Sequence, residues 1–257
     1  FIFLFTILFT SNVNAKPIPP GAGDGDVAAN ILFLVDSSAS MGRWIGSDGL
    51  GRVRGVSYDS DGNILIGQNA RRAAGAVLRY TSAGDRDTSF TPIRRIPRGG
   101  CGQHIDPRRN IMNQRFRKAS TVKFVDNAIN NEGIIFIVSQ ERRLLNYVFG
   151  FSENGRNCRF AISGSQGGRM FDIDVKNIGG TNYLFMAGIR NRSRGYFKVT
   201  NLTTMQSTYT EFNNRNHITR RYHRLSVNND ASRIYFSDAA NGGDLVGYAL
   251  NPSGPSF

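Results

Sequence analysis

Apolar residues fall in short alternating or continuous runs along this chain, and no stretch carries a sustained helical period. Gly, Asn and Asp gather between the runs. That pattern predicts an all-β protein. The clearest unit begins at Val53. It predicts a strand over 54–59, the turn Ser60-Asp61-Gly62-Asn63 with its Asp-Gly hairpin signal, and strands over 64–68, 76–80 and 89–93. The same order returns after Val122, Met170 and His223. The second strands begin near Ile64, Ile134, Tyr183 and Ile234, so the later copies lie about 50 residues apart. One four-stranded antiparallel sheet per copy predicts the blades of a β-propeller, about four visible and one partial. Residues 31–49 supply the partial one. The alternative is an unrelated sandwich of antiparallel strands.

The ends and one interval break this rhythm. Phe1 to Thr10 is uncharged and apolar, and Val13-Asn14-Ala15 has a small-x-small pattern. This predicts a secretory signal peptide over 1–15 that lacks its basic n-region, then a Pro/Gly/Asp-rich linker over 16–29. The β-repeat array is expected over 30–257, cut at both ends, with no membrane-spanning segment once the signal is removed. The expected location is secreted, periplasmic or cell-surface. Residues 92–120 lack strand-like alternation and carry a net charge of +7. They read as an inserted loop between blades, with a short helical stretch as an option.

Composition narrows the function classes. The hydrophobic share of 40% excludes a disordered chain, and the 2 Cys exclude a disulfide-built scaffold or a multi-cysteine metal centre. Cys101 and Cys158 could pair in an oxidising compartment or stay as thiols. The net charge is +13, and 27 of the 32 basic residues are Arg. Arg suits bidentate contact with sulfate, phosphate and carboxylate. Arg71-Arg72, Arg142-Arg143 and Arg190/Arg192/Arg194 each follow the second strand of a copy, so they share one structural position. With Arg94, Arg95, Arg108 and Arg109 of the basic interval they predict an Arg-rich rim. Such a rim would attract an anionic polymer, glycan or protein surface. The competing reading is a basic surface that is merely solvated. Nucleic acid is disfavoured as a partner, since no DNA- or RNA-binding motif is present.

Two local resemblances add expectations. Val56-Ser57-Tyr58-Asp59-Ser60-Asp61-Gly62-Asn63-Ile64-Leu65-Ile66 resembles the repeats of NHL and gluconolactonase-like propellers, with a fainter match over 225–238. That resemblance implies a metal-dependent lactonase- or lyase-like alternative, in which carboxylates line a central channel. Asp126, Asp172, Asp174 and Asp238 are the candidates, although they do not recur at a fixed position. Asp36-Ser37-Ser38-Ala39-Ser40 resembles the metal-binding loop of von Willebrand factor type A domains. There Asp36, Ser38 and Ser40 would hold Mg²⁺ or Ca²⁺ through hard oxygen ligands. The Gly-rich stretch that follows departs from that family's helix. Asp59 to Asn63 has a hint of a calcium loop, but a hairpin turn accounts for each residue. Nucleophile elbows, Walker loops and zinc-protease motifs are absent, and a Cys101/His104 pair is the sole nucleophile–base spacing. The leading expectation is an exported binding or adhesion module acting through the Arg-rich rim, with enzymatic activity left open.

Overall fold

The computed structural model describes residues 52–69, 76–104, 111–116, 118–139, 144, 146–164, 168–191, 194–213, 224–238 and 244–250. The chain divides into two units, Phe1–Val35 and Asp36–Phe257, and every described residue belongs to the second. The signal, linker and Asp36/Ser38/Ser40 expectations fall outside the described residues.

All regular structure among the described residues is β. The first sheet joins β1 (Arg52–Tyr58), β2 (Ile64–Asn69) and β3 (Val77–Tyr80). The second orders β4 (Gln103–His104), β8 (Cys158–Ser163), β7 (Tyr147–Ser152), β6 (Glu132–Ser139) and β5 (Ala119–Ile129) side by side. The third contains β9 (Arg169–Ile178), β10 (Thr181–Asn191), β11 (Arg194–Asn201) and β12 (Ser207–Asn213). The fourth contains β13 (Leu225–Val227), β14 (Arg233–Asp238) and β15 (Asp244–Ala249). Pairing is antiparallel throughout except for β4 on β8. The doubly wound parallel sheet of a type A domain does not occur among the described residues.

The sheets stack face to face in chain order because consecutive side chains of a strand point to opposite faces. In β6, Ile135 and Ile137 enter the core shared with the first sheet, while Ile134, Phe136 and Val138 enter the core shared with the third. In β10, Leu184 and Met186 face the second sheet, and Phe185 and Ala187 face the fourth. Both faces of these strands are dry, which is why their sequences run apolar without alternation. Each such Phe or Ile contributes about 1.5–3 kcal/mol through burial. The fold is all-β, with sheets arranged as propeller-like blades.

Each sheet begins on an edge strand, and these first strands, β1, β5, β9 and β13, lie side by side. Their cross-contacts advance together: Ser57 meets Phe124, Thr121 meets Asp172, and Asp172 and Asp174 meet Leu225 and Val227. The four first strands therefore run in one direction. Gly55 permits the approach of β1 to β5, since a Cβ there would sit 2.9 Å from the Val122 nitrogen. The common direction places the starts of the first strands and the ends of β2, β6 and β10 at one end of the blades, the start end. The β1–β2, β5–β6, β9–β10 and β13–β14 turns lie at the other, the turn end. Two contacts between turns of adjacent sheets agree: Ser60 Oγ donates to Glu153 at 2.9 Å and Asn182 Nδ2 to the Asn127 carbonyl at 2.9 Å.

The interval 92–120 differs from the expected loop. Its described part contains no helix, and Ile93, Ile96, Ile111 and Phe116 are buried. Residues 89–93 form no regular fourth strand; Ile93 bridges Val77 singly. Further on, Gln103 and His104 add to β8, giving the second sheet a fifth strand. The spacing of the four buried residues follows the packing of an irregular strap, which explains why no period of 2 or 3.6 revealed it.

Candidate functional site

The first strands meet at a polar junction built on Asp172, Asp174 and Arg224. In β9 the sequence Phe171 to Val175 alternates, so Asp172 and Asp174 share one face. That face turns toward the open edges of β5 and β13. Asp172 is 5% exposed. It accepts from Thr121 Oγ1 at 2.5 Å and from the Leu225 N–H at 3.0 Å, with Arg224 Nη1 at 3.7 Å. Asp174 accepts from the Val227 N–H at 2.8 Å and pairs with Lys123. These carboxylates satisfy N–H groups of β13 that no described strand accepts, a need any edge strand carries. Burial pushes the Asp172 carboxyl above the ordinary carboxylate range, opposed by Arg224, Thr121 and the Leu225 N–H.

Arg224 reaches all the other first strands. Its Nη2 donates to the Arg54 carbonyl of β1 at 3.0 Å, and its Nη1 to Thr121 of β5 at 3.4 Å, beside Asp172 of β9. The junction is thus occupied by its own ion pairs. Among the described residues no three His, Cys, Asp or Glu side chains converge as a metal site would require. Asp126 lies exposed at the turn end, away from this junction, and accepts from its neighbour Asn127. Asp238 ends β14 opposite Asp244.

The start end is cationic. Arg52, Arg54, Lys118, Arg169 and Arg224 stand at or just before the starts of the four first strands. Arg71, Arg72, Arg142, Arg143, Arg192, Arg108 and Arg109 belong to connections outside the described residues. Arg190 and Arg194, flanking the β10–β11 hairpin, are described and both hold Glu211 of β12. The Tyr209 hydroxyl, then these two guanidinium groups, keep the Glu211 carboxyl below its usual range. Arg94, Arg95, Arg98, Arg115, Lys118 and Arg169 are exposed and pair with no described carboxylate.

The strap is anchored on either side of Arg94, Arg95 and Arg98. Ile93 bridges Val77 of the first sheet, and Cys101 forms a disulfide with Cys158 of the second. Gly102 N–H donates to the Cys158 carbonyl at 3.1 Å. The disulfide therefore excludes Cys101 as a nucleophile beside His104 in this state. Arg115 belongs to the basic interval and Arg224 to a further Arg cluster of the sequence, but neither is among the expected binding residues. A cation at the start of each first strand was the available signal, hidden because short β13 is hard to delimit.

No protein-family model and no curated protein matches the chain. Among solved structures it is similar to a protein of Bacteroides uniformis ATCC 8492 described as a candidate 6-phosphogluconolactonase, with 13% identity and a TM-score of 0.49. That likeness covers 82% of this chain and 55% of the other. Dihydro-heme d1 dehydrogenase NirN, solved with DHE, is similar at 11% identity and a TM-score of 0.34, over 77% of this chain and 55% of its own. The chain spans about half the length of each. Likeness at this level assigns no activity.

Proposed function

We propose that this protein is an exported, propeller-like binding module that takes an anionic polymer or glycan on the start end of its blades. The observation that carries this reading is the common direction of β1, β5, β9 and β13. It gathers the exposed Arg94, Arg115, Lys118 and Arg169 at one end. A one-signed field over such a surface raises the local concentration of a polyanion and speeds its capture. Extracellular acidic polysaccharide fits the proposed export, and the disulfide fits an oxidising compartment. The junction carboxylates Asp172 and Asp174 are engaged with Thr121, Lys123 and the β13 backbone, so the lactonase-like alternative has less support.

The test is retention on a heparin-like column across a salt gradient. Arg94→Glu/Lys118→Glu/Arg169→Glu should elute at clearly lower salt than the wild type. A matched triple at the turn end, Arg156→Glu/Lys176→Glu/Arg233→Glu, should elute close to it. Equal shifts of the two triples would reduce the effect to net charge and defeat the assignment of an end.

A further inference from the structure

Within the basic strap, two Arg face each other at the closest cross-strand position. Arg95 and Arg115 form an antiparallel bridge. The flanking bonds are Ile96 N–H to the Gln114 carbonyl at 2.9 Å and Phe116 N–H to the Arg94 carbonyl at 2.7 Å. Those bonds make 95/115 the non-hydrogen-bonded pair, the type in which opposed side chains approach most closely. Like charges placed directly opposite destabilise a ladder. Here both guanidinium groups are exposed, and the nearest relief is a 3.4 Å bond from Arg95 Nη1 to Asn113 Oδ1. Beneath them Ile96 and Phe116 are buried, so the pair rests on a packed base.

We infer that Arg95 and Arg115 form an oxyanion subsite that clamps one sulfate ester or carboxylate of an acidic glycan. The inference rests on the binding reading above and locates it. Two guanidinium groups carried at one register position of adjacent strands can both donate to one anionic group. The repulsion between them persists in the free protein and is relieved when the anion arrives. A site of this kind costs stability when empty. That property separates it from a structural pair, because truncation should then affect stability and binding in opposite directions.

The experiment uses the full chain, isothermal titration and thermal unfolding. The probes are a sulfated heparin tetrasaccharide and an unsulfated polygalacturonate tetramer, which separate the two sources of oxyanion. Arg115→Gln should weaken the bound tetrasaccharide about tenfold or more and raise the unfolding midpoint of the free protein. Arg115→Lys keeps the charge and loses the fork, and should also weaken binding. Lys118→Gln/Arg169→Gln removes two charges from the same end and should weaken it less. Arg115→Gln that binds no worse than this control, or that lowers the midpoint, overturns the subsite while leaving the basic end intact. Failure of all these variants to weaken either probe overturns both.

Discussion

The two ends of the blades use charge differently. At the turn end, carboxylates are consumed by the fold. Asp59 accepts the N–H groups of Asp61 and Asn63 at 3.1 and 2.8 Å and an Arg79 guanidinium N–H at 3.1 Å. Asp230 caps its own turn through the Ser232 N–H and hydroxyl, which hold its carboxyl below the ordinary range. At the start end, Arg94, Arg115, Lys118 and Arg169 are exposed and meet no described carboxylate. A charge committed to a turn cannot serve a ligand, whereas a charge left in solvent can. Net charge alone does not distinguish charges the fold has committed from those it has left in solvent.

The strongest way to break the comparison is through the junction between the ends. Asp172→Ala should cost about 3–5 kcal/mol, because it leaves the buried Thr121 hydroxyl and Leu225 N–H without their acceptor together. Urea unfolding reads this directly, and an unchanged midpoint would show that the first strands are aligned by something else. Next in size is the strap. Removing the Cys101–Cys158 bond, whose partners are 57 residues apart, should cost about 2–4 kcal/mol. Polyanion retention should fall with it in Cys101→Ala/Cys158→Ala, since the strap bearing Arg95 and Arg115 loses an anchor. Retention equal to the wild type would detach the strap from the binding end.

Much of the fold was legible in the sequence. The runs 134–138 and 183–186 read as strands, and the Asp-Gly turn placed Asp59 correctly at a hairpin. The spacing of the second strands gave the repeat. The strap was not legible, because Ile93, Ile96, Ile111 and Phe116 contact the core at irregular intervals fixed by the neighbouring sheets. The junction was half legible. Asp172-Ile173-Asp174 within an apolar strand signals two carboxylates on one face, yet their partners Thr121, Lys123 and Leu225 lie about 50 residues away on either side. Only the parallel alignment of the first strands joins them.

Effects at the turn end should be smaller and confined to stability. Asp59→Ala should cost about 1–2 kcal/mol through the loss of its turn bonds, with elution from the polyanion column unchanged. An altered elution would mean the ends are not independent. Acid should act here as well. The Ser89 hydroxyl and Arg79 hold the Asp87 carboxyl at about 2, against an ordinary 3.8. A depressed folded value stabilises above 3.8 and loses that contribution as pH falls toward 2. Asp172 has the opposite sign, since its raised value makes ionisation costly once pH exceeds the ordinary range. Comparing wild type with Asp87→Asn from pH 5 to pH 2 should show the acid loss shrink in the variant; equal slopes would remove Asp87 from the account.

The smallest effect gives the sharpest reading of what it means for a cation to be free. Arg190 and Arg194 sit at the start end, yet both are held by Glu211. The three groups leave one net positive charge where the sequence alone suggests two. Exposed pairs of this kind contribute within about 1 kcal/mol to stability, so Glu211→Gln should leave the unfolding midpoint nearly unchanged. It should nevertheless release two guanidinium groups and move elution from a heparin-like column to slightly higher salt. Tyr209 and the two Arg keep Glu211 ionised through mild acid, so the wild type should not gain this retention between pH 7 and pH 5. Arg194→Gln should lower retention less than Arg115→Gln, because part of its charge is already neutralised. Were Glu211→Gln to elute at lower salt than the wild type, committed and uncommitted cations would not be distinguished by the ligand, and the contrast between the ends would reduce to a count of charges.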